Sequence, residues 1–152
     1  MSASLMSLMV FSLAALAVAS VRRIPEGQVY SLRRVGGQIR IVGAGTHFLL
    51  PLIERVSHKI SLTGTALKLE GALSSGEGYR GALYFQVLDP ARADVVIESV
   101  DQLLIERSQV LLSSAELPTE TAERRRWLKQ TLNSEVHERG LLVTRVELHA
   151  AA

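Results

Sequence analysis

Side chains capable of catalysis are present in this 152-residue chain, but their spacing matches no catalytic motif. There is no Cys, which excludes thiolate catalysis and Cys-ligated metal centres. His137 and Glu138 begin like a zinc-binding helix, but Leu141 stands where the second His is needed. The segment Gly43-Ala44-Gly45 is not followed by the third Gly of a dinucleotide-binding loop. We therefore predict a non-enzymatic protein with no cofactor and no bound metal.

Two charged clusters have both a functional and a structural interpretation. Glu116, Glu120 and Glu123 could supply a carboxylate pair for acid–base catalysis, but acids also favour the positive end of a helix. The run Arg124-Arg125-Arg126 could bind lipid or nucleic acid, but consecutive helical residues point in three directions. We interpret both clusters as solvated helix surface.

A basic block and an apolar segment are the stronger candidates for a binding surface. Residues 22–60 carry seven Lys and Arg against two acids, and anionic lipid head groups attract such charges. The predicted membrane-proximal basic residues are Arg22, Arg23, Arg33, Arg34 and Arg40. An apolar segment follows, whose side chains belong either to the core or among lipid head groups: Phe48, Leu49, Leu50, Leu52 and Ile53.

The first 21 residues carry no charge, and their only polar residues are serines. This length and composition predict a transmembrane helix. Arg22 and Arg23 follow it, which predicts a cytoplasmic domain by the positive-inside rule. Two alternatives remain: a cleaved signal peptide, because Ala17-Val18-Ala19 has the form of a cleavage site, and a buried helix.

The rest of the chain predicts strands first, then helices, then a closing strand, which is typical of an α+β domain. Strands are predicted at 28–34, 38–42, 55–62, 65–69 and 79–87, with a hairpin turn at Gly36-Gly37. Helices are predicted at 91–113, capped by Asp89, and at 120–139, ended by Gly140. The predicted buried stripe of the second helix is Leu128, Leu132 and Val136. On the closing strand, one face is predicted to hold Leu142, Thr144, Val146 and Leu148.

The order of these motifs resembles the SPFH domain family, also called band 7 or prohibitin-homology, which includes stomatin-like proteins. The similar pieces, spanning roughly Val21 to Leu148, are Pro25-Glu26-Gly27, Gly45-Thr46-His47-Phe48, Leu50-Pro51, YFQVLDPARA and HERGLLVTRVEL. The chain departs from the family in the looser segment EGALSSGEGYRG and in ending where relatives continue into a long charged helix. We therefore expect small or labile oligomers.

Together these features predict an α+β protein with a transmembrane anchor at 1–21, a compact SPFH-like domain at 22–149 and a tail at 150–152. Its helices are expected to pack on a mostly antiparallel sheet. The resemblance implies a membrane-anchored scaffold or microdomain organiser. The alternatives are a regulatory partner of a membrane protease or other membrane enzyme, and a secreted domain released by signal cleavage. Expected partners are membrane lipid, further copies of the chain and a longer SPFH relative, but not nucleic acid.

Overall fold

The computed structural model describes residues 2–50, 53–114 and 116–150. Met1, the predicted lipid-facing Leu52, and residues 151–152 of the predicted tail lie outside the described residues. The helices are α1 Ser2–Ser20, α2 Pro90–Ala93, α3 Val100–Leu112 and α4 Thr121–Val136, with 3-10 turns at Ile97–Ser99 and His137–Arg139. The strands are β1 Val21–Ile24, β2 Gln28–Arg34, β3 Ile39–Val42, β4 Gly45–Phe48, β5 Glu54–Ser61, β6 Thr65–Ala72, β7 Gly78–Val87 and β8 Leu141–Ala150.

Within the described ranges the strands form three small sheets, whereas the sequence predicted one. Their orders are β1-β4, β3-β2-β5 and β6-β7-β8. The pairs β1–β4, β2–β3, β6–β7 and β7–β8 are antiparallel. The chain divides into two compact units, an N-terminal unit of residues 1–59 and a C-terminal unit of residues 60–152. The α+β class is as predicted.

The N-terminal helix differs from its prediction. α1 has 19 residues, five of them serines, and its side chains from Ser4 to Ala19 are exposed. A membrane span needs about 20 predominantly apolar residues. Among the described residues, no helix is both long and apolar enough to cross a membrane. The predicted transmembrane anchor and single-pass membrane location are therefore wrong.

The N-terminal unit is built around the hairpin of β2 and β3. Gly36 and Gly37 turn the chain with φ of 115° and 84°, a region that Gly enters at little cost. A small core forms below the hairpin from Ile24, Leu32, Val42 and Leu49, with Tyr30 packed against it. Since β2 contributes Leu32 to this core, Arg34 two residues later points from the same face, nearer the hairpin tip.

The C-terminal unit packs helices on one face of the sheet β6-β7-β8. α3 contacts β6 and α4 contacts β8. Leu128, Leu132 and Val136 form the buried stripe of α4, as predicted. Leu83, Phe85 and Val87 of β7 are also buried, and their neighbours on the other face are partly exposed.

Two ends of the C-terminal helices, the start of α2 and the end of the turn after α4, follow the sequence signals. The Asp89 carboxylate accepts hydrogen bonds from the amides of Ala91 and Arg92 at 3.0 and 3.3 Å. Gly140, in the left-handed conformation, follows the 3-10 turn after α4. The predicted helix at 91–113 is divided between α2, a 3-10 turn and α3.

Candidate functional site

The most organised polar group of the N-terminal unit is a buried carboxylate beneath two arginines. The side chain of Glu54 is 2% exposed, and its Oε1 accepts a hydrogen bond from Nε of Arg34 at 2.7 Å. A second guanidinium nitrogen, Nη1 of Arg40, lies 3.9 Å from the same oxygen. The register of the hairpin explains the geometry, because Arg40 pairs with Leu32 and so shares a face with Arg34. Glu54 thus fixes two of the predicted basic residues in one place.

The folded state favours the ionised form of the Glu54 side chain. The hydrogen bond from Arg34 lowers the pKa of the Glu54 carboxyl below its ordinary value of 4.5, while burial acts in the opposite direction. A backbone hydrogen bond from Leu50 and the positive charges of Arg34 and Arg40 lower this pKa further. The carboxylate is therefore ionised at neutral pH and serves as a structural counterion.

The other three predicted basic residues are exposed, and none of them shares the face of the hairpin that holds Arg34 and Arg40. Arg33 pairs with Ile39 on the opposite face of the hairpin from Arg34. Arg22 and Arg23 belong to β1, where they pair with His47 and Thr46. Within the described part of the chain, none of these three arginines forms an ion pair. The structure therefore groups Arg34 and Arg40, but places Arg22 and Arg23 in a separate sheet.

Exposed apolar side chains lie at the turn of this basic hairpin, residues 28–42, and on the segment hydrogen-bonded to that turn. Val35 stands at the turn and is 81% exposed. Its amide donates a hydrogen bond to the carbonyl of Ile53 at 2.9 Å, and the amide of Ile53 donates to the carbonyl of Leu50 at 2.9 Å. These bonds hold three exposed apolar residues together, which we call the apolar tip: Val35, Leu50 and Ile53.

The predicted apolar segment does not act as one surface. Leu49 is 7% exposed and belongs to the core, whereas Phe48 is 75% exposed. Leu50 and Ile53 are exposed and belong to the apolar tip. Sequence reasoning did not single out Val35 or Glu54, although an apolar residue directly before a Gly-Gly turn is a visible signal of an exposed tip.

The charged cluster at the start of α4 has structural contacts. The Arg124 guanidinium donates to the carbonyls of Pro118 and Thr119 at 3.1 and 3.0 Å, and Nε of Arg125 donates to the carbonyl of Thr121 at 3.3 Å. No side-chain hydrogen bond from Glu120 caps this helix. In the described ranges, no group of three or more His, Asp or Glu side chains could hold a metal ion.

A polar groove of about 710 Å³ lies between α3 and the end of α4 in the C-terminal unit. An ion pair from Nε of Arg107 to Oε2 of Glu135 joins the two helices at 2.9 Å. Glu106, Glu138 and Arg139 also line the groove, so its charges are of both signs. This mixture selects no particular class of ligand.

Comparison with known proteins gives little further identification. No protein-family model matches the chain, so the SPFH, band 7 and stomatin-like descriptions predicted from the sequence have no support there. The chain is 29% identical over 99 residues to an uncharacterized protein of Schizosaccharomyces pombe. The match covers 62% of this chain but only 28% of the yeast protein.

Proposed function

We propose that this chain is a non-enzymatic scaffold domain whose N-terminal unit binds anionic lipid surfaces through the basic hairpin and the apolar tip. The observation that carries the proposal is the hydrogen-bonded grouping of exposed Val35, Leu50 and Ile53 beside the basic hairpin. Apolar side chains that reach between head groups, flanked by arginines that meet phosphates, are the two elements of interfacial binding. The proposal requires no membrane-spanning segment and does not depend on the SPFH resemblance.

The charge of the N-terminal unit supports this choice of partner. Residues 1–59 contain seven Lys and Arg but only Glu26 and Glu54 as acids. Glu54 is buried against Arg34 and neutralises it. Seven basic minus two acidic side chains still leaves the unit with a net charge of +5. Each Lys or Arg near such a surface contributes about 1 kcal/mol, and this attraction weakens with salt.

The scaffold part of the proposal rests on the kind of surface that the chain offers. In the hairpin, Arg34 forms an ion pair with the buried Glu54, and the Arg40 side chain remains exposed. A surface of exposed arginines held in place in this way is suited to binding an anionic partner. Regulation of a membrane protease or other membrane enzyme remains a prediction of the sequence, since no contact in the described residues favours it over a scaffold.

Vesicle binding of the full chain tests the proposal. We expect co-sedimentation with vesicles of phosphatidylcholine and phosphatidylserine, and much less with phosphatidylcholine alone. Replacing Arg33 and Arg40 by Gln together should weaken binding by about 2 kcal/mol, or roughly 30-fold. The matched control replaces Arg80 and Arg126, two exposed arginines of the C-terminal unit, by Gln.

The control variant should bind almost as well as the wild type, because it loses the same charge from a different unit. Equal weakening by the two double variants would mean that only net charge matters and would refute the assignment to the hairpin. Absence of binding by the wild type to either kind of vesicle at low salt would refute lipid as the partner.

A further inference from the structure

The outer edge of β6 is an unpaired strand edge in the C-terminal unit. β6 pairs with β7 on one side, and no other strand of the described chain pairs with its other side. The carbonyl of Glu70 points outward at this edge, because it accepts a hydrogen bond from Nε2 of Gln109 on α3 at 3.3 Å. Successive residues of an antiparallel strand direct their backbone groups to alternate sides. The backbone groups of Ala66, Lys68 and Ala72 therefore point outward as well.

This edge has the properties of a pairing surface. In the described residues, the long bond from Gln109 is the only hydrogen bond recorded at the outward backbone groups of Ala66, Lys68 and Glu70. Unpaired N–H and C=O groups of an edge strand are a template for another strand. Ala66 and Ala72 are small, and neither Lys68 nor Glu70 forms an ion pair within the described chain.

We propose that two copies of this chain pair through β6, antiparallel, with Lys68 of each copy opposite Glu70 of the other. A two-fold axis at Leu69 produces this register and also sets Ala66 opposite Ala72. All four residues have outward backbone groups, so they form hydrogen-bonded pairs across the axis. The two three-stranded sheets then become one sheet of six strands.

Charge complementarity selects a second copy as the occupant of the edge. The Lys68 and Glu70 side chains are exposed on the face opposite the buried Leu67 and Leu69. In the two-fold register they form two cross-strand pairs of opposite charge, and such pairs stabilise antiparallel strands. A register shifted by two residues would set Lys68 opposite Lys68 or Glu70 opposite Glu70, which is unfavourable.

Pairing requires local changes at α3, which also holds the edge just beyond Ala72, where the carbonyl of Leu112 accepts a hydrogen bond from the amide of Ser74 at 3.3 Å. The Gln109 side chain must leave the Glu70 carbonyl, and its hydrogen bond is long and exposed. The proposal goes beyond lipid binding and does not rest on it, because the hairpin and β6 belong to different units.

Sedimentation equilibrium of the full chain without lipid tests the dimer. We expect a reversible monomer–dimer equilibrium for the wild type. Lys68→Glu and Glu70→Lys, taken singly, place like charges opposite each other and should each raise the dimer Kd roughly tenfold or more. The double variant Lys68→Glu/Glu70→Lys restores opposite charges and should recover the wild-type Kd within about threefold.

Two further variants keep the test specific. Glu77→Lys, at an exposed loop residue before β7, makes the same charge change as Glu70→Lys and should leave the Kd unchanged. Gln109→Ala frees the Glu70 carbonyl and should leave dimerisation as tight or tighter. A monomeric wild type at every concentration, a double variant as weak as the single ones, or a dimer weakened by Gln109→Ala would each overturn the proposal.

Discussion

At the scale of single residues, Glu54 determines where the basic surface of the N-terminal unit can act. Its carboxylate binds Nε of Arg34 at 2.7 Å and lies 3.9 Å from Arg40, so both guanidinium groups are held on one face of the hairpin. Arg33, on the other face, has no ion-pair partner among the described residues. Arg34 is therefore committed to Glu54, whereas Arg33 and the Arg40 side chain, which is 55% exposed, remain available for binding.

Removing the Arg34 guanidinium should destabilise the protein, because Glu54 would remain buried without its main partner. We expect Arg34→Met to lower the free energy of unfolding by about 2 kcal/mol at neutral pH. Arg33→Met is the matched control, since the neighbouring exposed arginine should change stability by less than about 0.5 kcal/mol. Urea unfolding of both variants measures the difference, and equal stabilities would contradict the role given to Glu54.

The same ion pair should make stability depend on acid pH. The folded-state pKa of Glu54 lies below its ordinary value of 4.5, so its contribution is complete above pH 4.5 and is lost as the pH falls through the folded pKa. Arg34→Met should therefore reduce stability at pH 7 more than at a pH well below 4.5. Urea unfolding at the two pH values measures this. An equal loss of unfolding free energy in Arg34→Met at both pH values would contradict the prediction.

Some of this site was predictable from the sequence and some was not. The excess of basic residues and the apolar segment that contains Leu50 and Ile53 can both be read from the sequence. The pairing of Glu54 with Arg34 spans 20 residues and depends on how two strands meet, which no local pattern encodes. Leu49 and Phe48 are consecutive apolar residues, yet only Leu49 points into the core.

At the scale of secondary structure, a bulge in β8 explains a partial failure of the predicted alternation. Tyr84 pairs with Arg145 and Phe85 pairs with Val143, so Thr144 is the extra residue. Val143 and Val146 are therefore both buried, whereas Leu142 and Thr144 are not. The predicted face is correct for Val146 and Leu148 and wrong for the residues before the bulge.

A side chain of α4 closes the edge of β8 at this bulge. Asn133 accepts a hydrogen bond from the amide of Val143 at 2.7 Å and donates one to its carbonyl at 3.0 Å, as a neighbouring strand would. Asn133→Ala should lower the free energy of unfolding by about 1–3 kcal/mol, because both backbone groups lose their partner. It should also accelerate hydrogen exchange of the Val143 amide.

Gln130→Ala provides the comparison for that variant, since Gln130 is an exposed residue of the same helix. Its effect on stability should be within about 0.5 kcal/mol. Unchanged exchange at Val143 in Asn133→Ala would show that the edge is protected in another way.

The division of the predicted helix at 91–113 also has a local cause. α2 ends at Ala93, and the following residues Val95, Val96 and Ile97 are β-branched, a type that loses side-chain freedom in a helix. Val95 is exposed, so no burial compensates for that loss. The sequence pattern correctly indicates that most of the segment is helical, but it does not locate the interruption between α2 and α3.

At the scale of the whole molecule, the two units carry different charge and offer different surfaces. The N-terminal unit is basic, whereas residues 61–152 carry ten Lys and Arg against thirteen acids. The α+β class followed from the order of strand and helix patterns. The division into three sheets did not, because pairing partners are set by long-range contacts that a periodic pattern cannot specify.

A protein that binds lipid through its hairpin and pairs with a second copy through β6 has the properties of a scaffold. A dimer joined through β6 carries two basic hairpins, and engagement of the first raises the effective concentration of the second. Variants at Lys68 that stay monomeric should therefore bind anionic vesicles less tightly than the wild type, although they retain the hairpin. The two proposals can still fail separately. Sedimentation equilibrium without lipid tests β6 pairing alone, and vesicle binding of the Arg33 and Arg40 variant tests the hairpin alone.

The most direct measurement follows the environment of Val35 on vesicles. The chain contains no Cys, so Val35→Cys can be labelled at one position with a polarity-sensitive fluorophore, and Ser75→Cys in the C-terminal unit serves as the control. With vesicles of phosphatidylcholine and phosphatidylserine, emission from position 35 should shift to the blue and intensify, and emission from position 75 should not. Unchanged emission at position 35 while the protein co-sediments with the vesicles, or equal shifts at both positions, would contradict lipid binding through the hairpin.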